Sequence, residues 1–138
     1  MSYDEPRVQV LLEEAGVRVV VLSGEFDMYS VEPLRETLAA AARDGVCAVV
    51  DIAAVVFADS AVLAALIEAR QAGPLILAGP VPRQFALLLS MSGADSALET
   101  EPTREAALAR AASPEGRAAE PGKADGSAAR LSEGGRVR

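Results

Sequence analysis

The sequence predicts an α/β domain whose mixed, mostly parallel sheet is covered by helices. Short runs of aliphatic and β-branched residues alternate along the chain with segments that repeat apolar residues at helical spacing. Two strands precede this alternation, so the predicted element order is β-β-α-β-α-β-α-β-α. A chain of 138 residues has room for one such domain. We assign the domain to residues 1–112.

The first two strands are expected to form an antiparallel hairpin. Val8 and Val10 alternate with polar residues, and residues 17–22 are almost entirely aliphatic. Gly16 lies in the loop between these two runs. Short strands joined by a glycine-containing loop usually pair with each other, so a hairpin opens the sheet.

The next helix and strand have recognisable beginnings and ends. Ser30 is placed to cap the first helix, which Gly45 ends. Residues 46–52 are nearly all apolar, as expected of a central strand covered on both faces by helices. Either Asp59 or Ser60 then caps the second helix.

The last part of the predicted domain continues the alternation. Residues 75–79 form another apolar run, and Pro82 stands in the first turn of a third helix that ends at Gly93. Residues 97–100 are expected to form a short edge strand, and residues 101–111 a final helix.

Composition separates the predicted domain from the end of the chain. Residues 113–138 lose the periodicity and are rich in Ala, Gly, Pro and charge. Such a segment buries too little apolar surface to offset its ordering entropy, so we expect a disordered tail. Residues 1–112 carry 16 acidic and 8 scattered basic side chains. Nucleic-acid binding relies on clustered Lys and Arg, so this balance argues against DNA or RNA as a direct partner.

The residue types that are absent or rare exclude most catalytic chemistry. The chain has no His and a single Cys, Cys47, so it lacks the groups for a Ser-His-Asp triad or a zinc site. We therefore predict neither an enzyme nor a bound metal or cofactor. Cys47 lies in an apolar run and is expected to be a buried structural thiol. The acidic N-terminus and the lack of about 18 consecutive apolar residues predict a cytoplasmic protein without a membrane segment.

Two acidic segments each follow an apolar run. One is Leu-Ser-Gly-Glu-Phe-Asp, which contains Glu25 and ends at Asp27; the other is Val-Phe-Ala-Asp-Ser, which contains Asp59 and ends at Ser60. The carboxyl ends of parallel strands lie at one edge of a sheet, where such folds place their ligands, so the segments are expected to be neighbours. The first segment is either a plain loop that leaves the strand or an acidic edge for docking a partner.

Ser60 has two compatible interpretations. A Ser or Asp at a helix start accepts a hydrogen bond from a free backbone N–H, which stabilises the helix by about 1 kcal/mol. A Ser there is also exposed, and a phosphate on it would meet free N–H donors and the positive end of the helix dipole. The phosphate would add roughly −1.5 to −2 charges beside Asp27 and Asp59 and would repel an acidic partner. Ser60 is therefore a candidate phosphorylation switch.

Three ordered stretches resemble the STAS domain of bacterial anti-sigma factor antagonists. The segment ending at Asp27 is similar to the family's L-x-G-x-[LF]-D. Residues 49–63, which contain Phe-Ala-Asp-Ser ending at Ser60, are similar to its hydrophobic-D-L…F-x-D-S-[ST]-G-L. Leu-Leu-Ser-Met-Ser-Gly, ending at Gly93, resembles its L-x-x-x-G element. The resemblance extends over about residues 8–111.

The resemblance implies a binding protein rather than an enzyme. The unmodified protein would bind an anti-sigma factor with serine kinase activity and so free a sigma factor. Phosphorylation of Ser60 would end that interaction, and a metal-dependent serine phosphatase would restore it. The kinase, not this chain, would bind ATP. The residues expected to bind the partner are Glu25, Asp27, Asp59, Ser60, Ala61 and Val62.

Two alternatives stay open, and the first of them rests on a departure from the family pattern. Where the family commonly has Ser-Gly after the phosphorylated Ser, this chain has Ala61 and Val62. Val62 adds β-branched bulk to the first helical turn, near where a kinase backbone would approach. One alternative is a STAS-like scaffold that binds partners without phosphorylation or senses a small ligand. The other is a hydrolase or phosphotransferase that uses Ser60, Asp27 or Asp59.

Overall fold

The computed structural model describes residues 4–113 and contains a five-stranded sheet with strands in chain order across it. Its order of strands and helices is the predicted one, with one short 3-10 helix added at Ala94–Ser96. The elements are β1 (Arg7–Glu14), β2 (Val17–Phe26), α1 (Glu32–Arg43), β3 (Cys47–Ala58), α2 (Ser60–Ala72), β4 (Leu75–Ala78), α3 (Arg83–Ser92), β5 (Glu99–Glu101) and α4 (Arg104–Ala112).

The sheet is mixed, as predicted. β1 pairs antiparallel with β2, and β2, β3, β4 and β5 pair parallel to one another. Ala15 and Gly16 turn the hairpin with φ of 53° and 77°, which is the left-handed conformation of tight hairpin turns. The parallel strands place their carboxyl ends along one edge of the sheet.

β3 is longer than the apolar run that predicted it. The expected strand ends at residue 52, whereas the observed one continues to Ala58. Its second half pairs with β2 as far as Phe26, through two irregularities in the register. Pairing with a neighbouring strand extends β3 here, and it brings the strand directly to Asp59.

Helices cover both faces of the sheet, but unequally. α1, α2 and α3 pack on one face, over a core that includes Leu22, Val50 and Leu66. α4 packs on the opposite face through small side chains, Ala107 and Ala111, against a second cluster that contains Cys47. The thiol of Cys47 is buried, with 1% of the residue's surface exposed, so its predicted burial is confirmed.

Two predicted boundaries are wrong. Ser30 does not cap α1, which begins at Glu32, because its hydroxyl donates to the carboxylate of Asp27 instead. The last helix begins at Arg104 rather than at residue 101, because residues 99–101 pair with β4 and Thr103 supplies the cap. The predicted disordered tail lies, apart from its first residue, outside the described residues.

Within residues 4–113, every helix is too short or too polar to cross a membrane.

Candidate functional site

The two acidic segments singled out in the sequence meet at the carboxyl edge of the sheet. Phe26, the last residue of β2, is paired with Ala58, the last residue of β3. The two segments that follow these strands therefore leave the sheet side by side. One continues into residues 27–30 and the other into α2. We call residues 27–30 together with 59–62 the carboxyl-edge site. The predicted proximity of the two segments is confirmed.

Asp59, rather than Ser60, caps α2. Its backbone is extended, and its Oδ1 accepts hydrogen bonds from the N–H groups of Ala61 at 2.9 Å and Val62 at 3.3 Å. Ser60 is the first helical residue, and its side chain is exposed. The capping role therefore belongs to Asp59. The backbone donors of Ala61 and Val62 that were expected to be free for a phosphate already bind Asp59.

Asp59 also binds the neighbouring loop. Its second carboxylate oxygen, Oδ2, accepts a hydrogen bond from the backbone N–H of Met28 at 3.2 Å. The contact joins residues 31 positions apart. One carboxylate thus holds the start of α2 and the β2–α1 loop together.

Asp27 closes that loop on itself. Its Oδ1 accepts from the backbone N–H of Tyr29 at 2.9 Å and from the hydroxyl of Ser30 at 3.1 Å. The hydroxyl oxygen of Ser30 in turn accepts from the N–H of Asp27 at 3.0 Å. The closed turn directs Met28 and Tyr29 outward, where their exposures are 65% and 89%.

Met28 and Tyr29 were missed by sequence reasoning, which considered only the carboxylate side chains of this segment. The available signal was a pair of large side chains, Met and Tyr, between two short polar residues in a loop. Met28 and Tyr29 are adjacent and both exposed, and contiguous exposed apolar side chains often mark an interaction site. Their position beside Asp59 makes them part of the same surface as Ser60.

Gln84, which sequence reasoning also missed, binds the backbone next to the site. The carboxamide of this α3 residue donates from Nε2 to the carbonyl oxygen of Ala58 at 2.8 Å. Its Oε1 accepts from the N–H of Ala58 at 3.1 Å. Gln84 therefore fixes the residue that immediately precedes Asp59. No local pattern marks this role, since the two residues are 26 positions apart.

The remaining predicted residues lie close to the site with different orientations. Glu25 is within β2, partly exposed, and paired with Phe57 of β3. Ala61 is partly buried in the first turn of α2. Val62 points into the core and has 2% of its surface exposed. The side chain of Val62 therefore packs in the core and is not available on the surface for the partner contact that had been expected.

The N-terminal segment passes over the end of β2 beside the site. The N–H of Glu25 donates to the carbonyl oxygen of Asp4 at 2.9 Å. Gly24 has φ of +92°, and a Cβ placed on it would lie 2.0 Å from the carbonyl oxygen of Glu5. Only glycine fits here, because the crossing backbone leaves no room for a side chain.

The site presents charged, apolar and hydroxyl groups on one surface, with Ser60 exposed. It combines the carboxylates of Asp27 and Asp59, the apolar side chains of Met28 and Tyr29, and Ser60. Among residues 4–113, no three or more His, Cys, Asp or Glu side chains are grouped as metal ligands.

Comparison with known proteins identifies the family. The family model described as "Mlab, STAS domain" matches residues 10–100, and the chain belongs to the STAS domain family, as its motifs indicated. Among curated proteins, no match was found.

Solved structures share the fold. An anti-sigma factor antagonist from Mycobacterium paratuberculosis aligns with a TM-score of 0.71 at 24% identity, over 80% of this chain and 97% of its own. The anti-sigma factor antagonist SpoIIAA in its unphosphorylated form aligns with a TM-score of 0.61 at 20% identity, over 72% and 92%. The Bacillus cell fate determinant SpoIIAA in the phosphorylated form gives 0.58 at 20% identity, over 72% and 96%. At these identities the likeness establishes the fold.

Proposed function

We propose that this protein is an anti-sigma factor antagonist that binds an anti-sigma factor with serine kinase activity and thereby frees a sigma factor. Phosphorylation of Ser60 ends the interaction. The observation that carries the proposal is the placement of an exposed Ser60 at the start of α2, next to Asp59 and the exposed pair Met28 and Tyr29. Membership of the STAS domain family and the structural likeness to two anti-sigma factor antagonists support the same role.

The unmodified surface suits a protein partner. Binding energy at protein interfaces is concentrated in a few large side chains, among which Tyr is enriched. Tyr29 and Met28 provide such anchors, and the carboxylates of Asp27 and Asp59 provide a charged surround that orients the partner. Glu25 extends the acidic surround along β2. A complementary partner surface would present an apolar pocket with basic residues around it.

Phosphorylation would reverse this complementarity. Transfer of the γ-phosphoryl group of ATP to Ser60 Oγ forms a new O–P bond, breaks the bond to the leaving ADP and releases the hydroxyl proton. The product carries roughly −1.5 to −2 charges more than serine. In the unmodified protein the N–H groups of Ala61 and Val62 bind Asp59, so the phosphate adds its charge directly beside an existing carboxylate. The surface becomes strongly negative where the partner docks.

The buried position of Val62 supports access by a kinase. The β-branched bulk of Val62 lies in the core rather than on the approach to Ser60. Ala61 adds only a methyl group. The departure from the family's Ser-Gly therefore leaves the hydroxyl of Ser60 open. In this scheme the chain is the protein substrate of the kinase and of a metal-dependent serine phosphatase, and has no catalytic role of its own.

A cross-linking experiment tests the docking surface. The photoreactive amino acid p-benzoylphenylalanine is placed at Tyr29 in the full chain, and cross-linked proteins are identified by mass spectrometry in the host bacterium. The control carries the same residue at Gln71, an exposed position near the end of α2, remote from the site. An anti-sigma factor captured at position 29 and absent at position 71 supports the proposal. Equal capture at both positions contradicts it.

The captured kinase then tests the switch. It is purified and incubated with ATP and wild type, Ser60→Ala or Ser90→Ala, in which Ser90 is an exposed serine of α3. We expect a slower band on a phosphate-affinity gel for wild type and Ser90→Ala, and none for Ser60→Ala. A shifted band that persists in Ser60→Ala refutes the assignment. Unchanged partner affinity in both Ser60→Ala and Ser60→Asp would favour the phosphorylation-independent scaffold.

A further inference from the structure

One carboxylate connects Ser60 to the exposed apolar pair. Oδ1 of Asp59 accepts from Ala61 and Val62 in the first turn of α2, and Oδ2 accepts from Met28 in the β2–α1 loop. Ser60 is the residue between this cap and the turn it binds. Any group attached to Ser60 Oγ therefore stands beside a carboxylate whose two oxygens serve two different elements.

We infer that Asp59 transmits phosphorylation of Ser60 to the Met28–Tyr29 turn. The phosphate displaces the Asp59 carboxylate from the N–H groups of Ala61 and Val62. The moving carboxylate then releases the N–H of Met28. The inference rests on the proposed phosphorylation of Ser60 and adds a conformational step to the change in charge.

Competition for donors provides the physical reason for the displacement. A phosphoserine in the first turn of a helix is stabilised by the backbone N–H groups there and by the helix dipole. Those N–H groups are held by the single negative charge of Asp59. A phosphate carries about twice that charge and three acceptor oxygens. Two anions side by side also repel each other, so the doubly charged group keeps the donors and the carboxylate moves away.

The consequence falls on the docking surface. After release, the turn retains the hydrogen bonds that Asp27 makes to Tyr29 and Ser30, all of which are internal to residues 27–30. It loses the hydrogen bond from Met28 that ties it to α2. Met28 and Tyr29, which are 65% and 89% exposed, have little packing to hold them in place. Phosphorylation therefore frees Met28 and Tyr29 to leave their positions on the docking surface, in addition to adding negative charge.

Water–amide exchange of the Met28 N–H, measured by NMR on the full chain, tests the inference. Phosphoserine is installed at position 60 by genetic code expansion, so no kinase is required. We expect exchange at Met28 to accelerate about tenfold relative to unmodified protein, the change for losing one hydrogen bond to a charged acceptor. Exchange at Met28 that stays within about twofold of the unmodified rate overturns the inference.

Asp59→Asn provides a matched variant. Its Oδ1 can still cap Ala61 and Val62, whereas its Nδ2 carries hydrogens and cannot accept from Met28. We expect the unphosphorylated variant to show the same acceleration at Met28 and no further acceleration when phosphoserine is present at position 60. Additional acceleration in the phosphorylated variant would show that the phosphate acts on the turn by another route.

Two controls separate transmission from other effects. Phosphoserine at Ser90, on α3, must leave Met28 unchanged. The N–H of Leu66, in the middle of α2, must keep its protection, because faster exchange there would mean that the helix unfolds, and this result would also overturn the inference. Cross-linking at Tyr29 reports partner binding independently of amide exchange. The transmission through Asp59 can therefore be refuted while the proposed function stands, and the proposed function can be refuted while the transmission stands.

Discussion

Replacing Gln84 with Ala removes both hydrogen bonds between α3 and the last residue of β3. The N–H and carbonyl groups of Ala58 lose their hydrogen bonds to Gln84, and Ala58 has 2% of its surface exposed. Each hydrogen bond contributes about 1 kcal/mol net, and a buried group left unsatisfied costs about as much again. Because Gln84 is only partly buried, water can reach part of the vacated space. We therefore expect a loss of about 2 kcal/mol.

Urea unfolding followed by circular dichroism measures this loss, since the chain has no Trp for fluorescence. With a slope of about 2 kcal/mol per molar urea, the unfolding midpoint should fall by about 1 M. Gln71→Ala is the matched control, because Gln71 is an exposed helical residue and gains the same helix propensity on becoming Ala.

Gln84→Glu refines the comparison. Its carboxylate can accept from the N–H of Ala58 but cannot donate to the carbonyl, so we expect a loss at least as large as that of a single hydrogen bond. If Gln84→Ala and Gln71→Ala unfold at the same urea concentration, the two hydrogen bonds from Gln84 to Ala58 contribute nothing to the free energy of unfolding, and the prediction is wrong.

Two further predictions concern segments that pack against the sheet, namely the N-terminal segment and α4. Gly24→Ala should destabilise the domain by about 1–3 kcal/mol, because φ is +92° and the new Cβ would collide with the Glu5 carbonyl. The same urea unfolding assay measures this loss. Gly45→Ala is the control for the backbone cost alone, since Gly45 has φ of +71° and open space around it. Arg104→Ala should speed native-state labelling of the Cys47 thiol, because Arg104 binds the buried Asp51 at 2.7 Å and anchors α4 over the second cluster. The surface variant Arg35→Ala should label at the wild-type rate, and equal rates in all three proteins would contradict this role for α4.

The order of elements and the place of the site were determined by the sequence alone. Alternating apolar periodicities report which face of a strand or helix is buried, and that information is local. The burial of Cys47 follows from the apolar run around it. The meeting of the Asp27 and Asp59 segments follows from the rule that parallel strands end at one edge.

The tertiary structure decided which residue caps each helix and where β3 ends. Asp59 and Ser60 both suit a helix cap, and Asp59 takes the role because its backbone is extended while Ser60 is already helical. Ser30 suits a cap as well, but the carboxylate of Asp27 three residues earlier binds its hydroxyl. β3 continues past its apolar run because β2 lies alongside it.

Contacts between distant residues were decided only by the tertiary structure. The bond from Met28 to Asp59 and the clasp of Gln84 on Ala58 join residues 31 and 26 positions apart. No sequence pattern marks either contact. A backbone N–H group or a carboxamide has no preferred partner until the fold brings one within about 3 Å. Local periodicity therefore located the carboxyl-edge site, and packing of α3 and the β2–α1 loop against it determined how Ser60 is held.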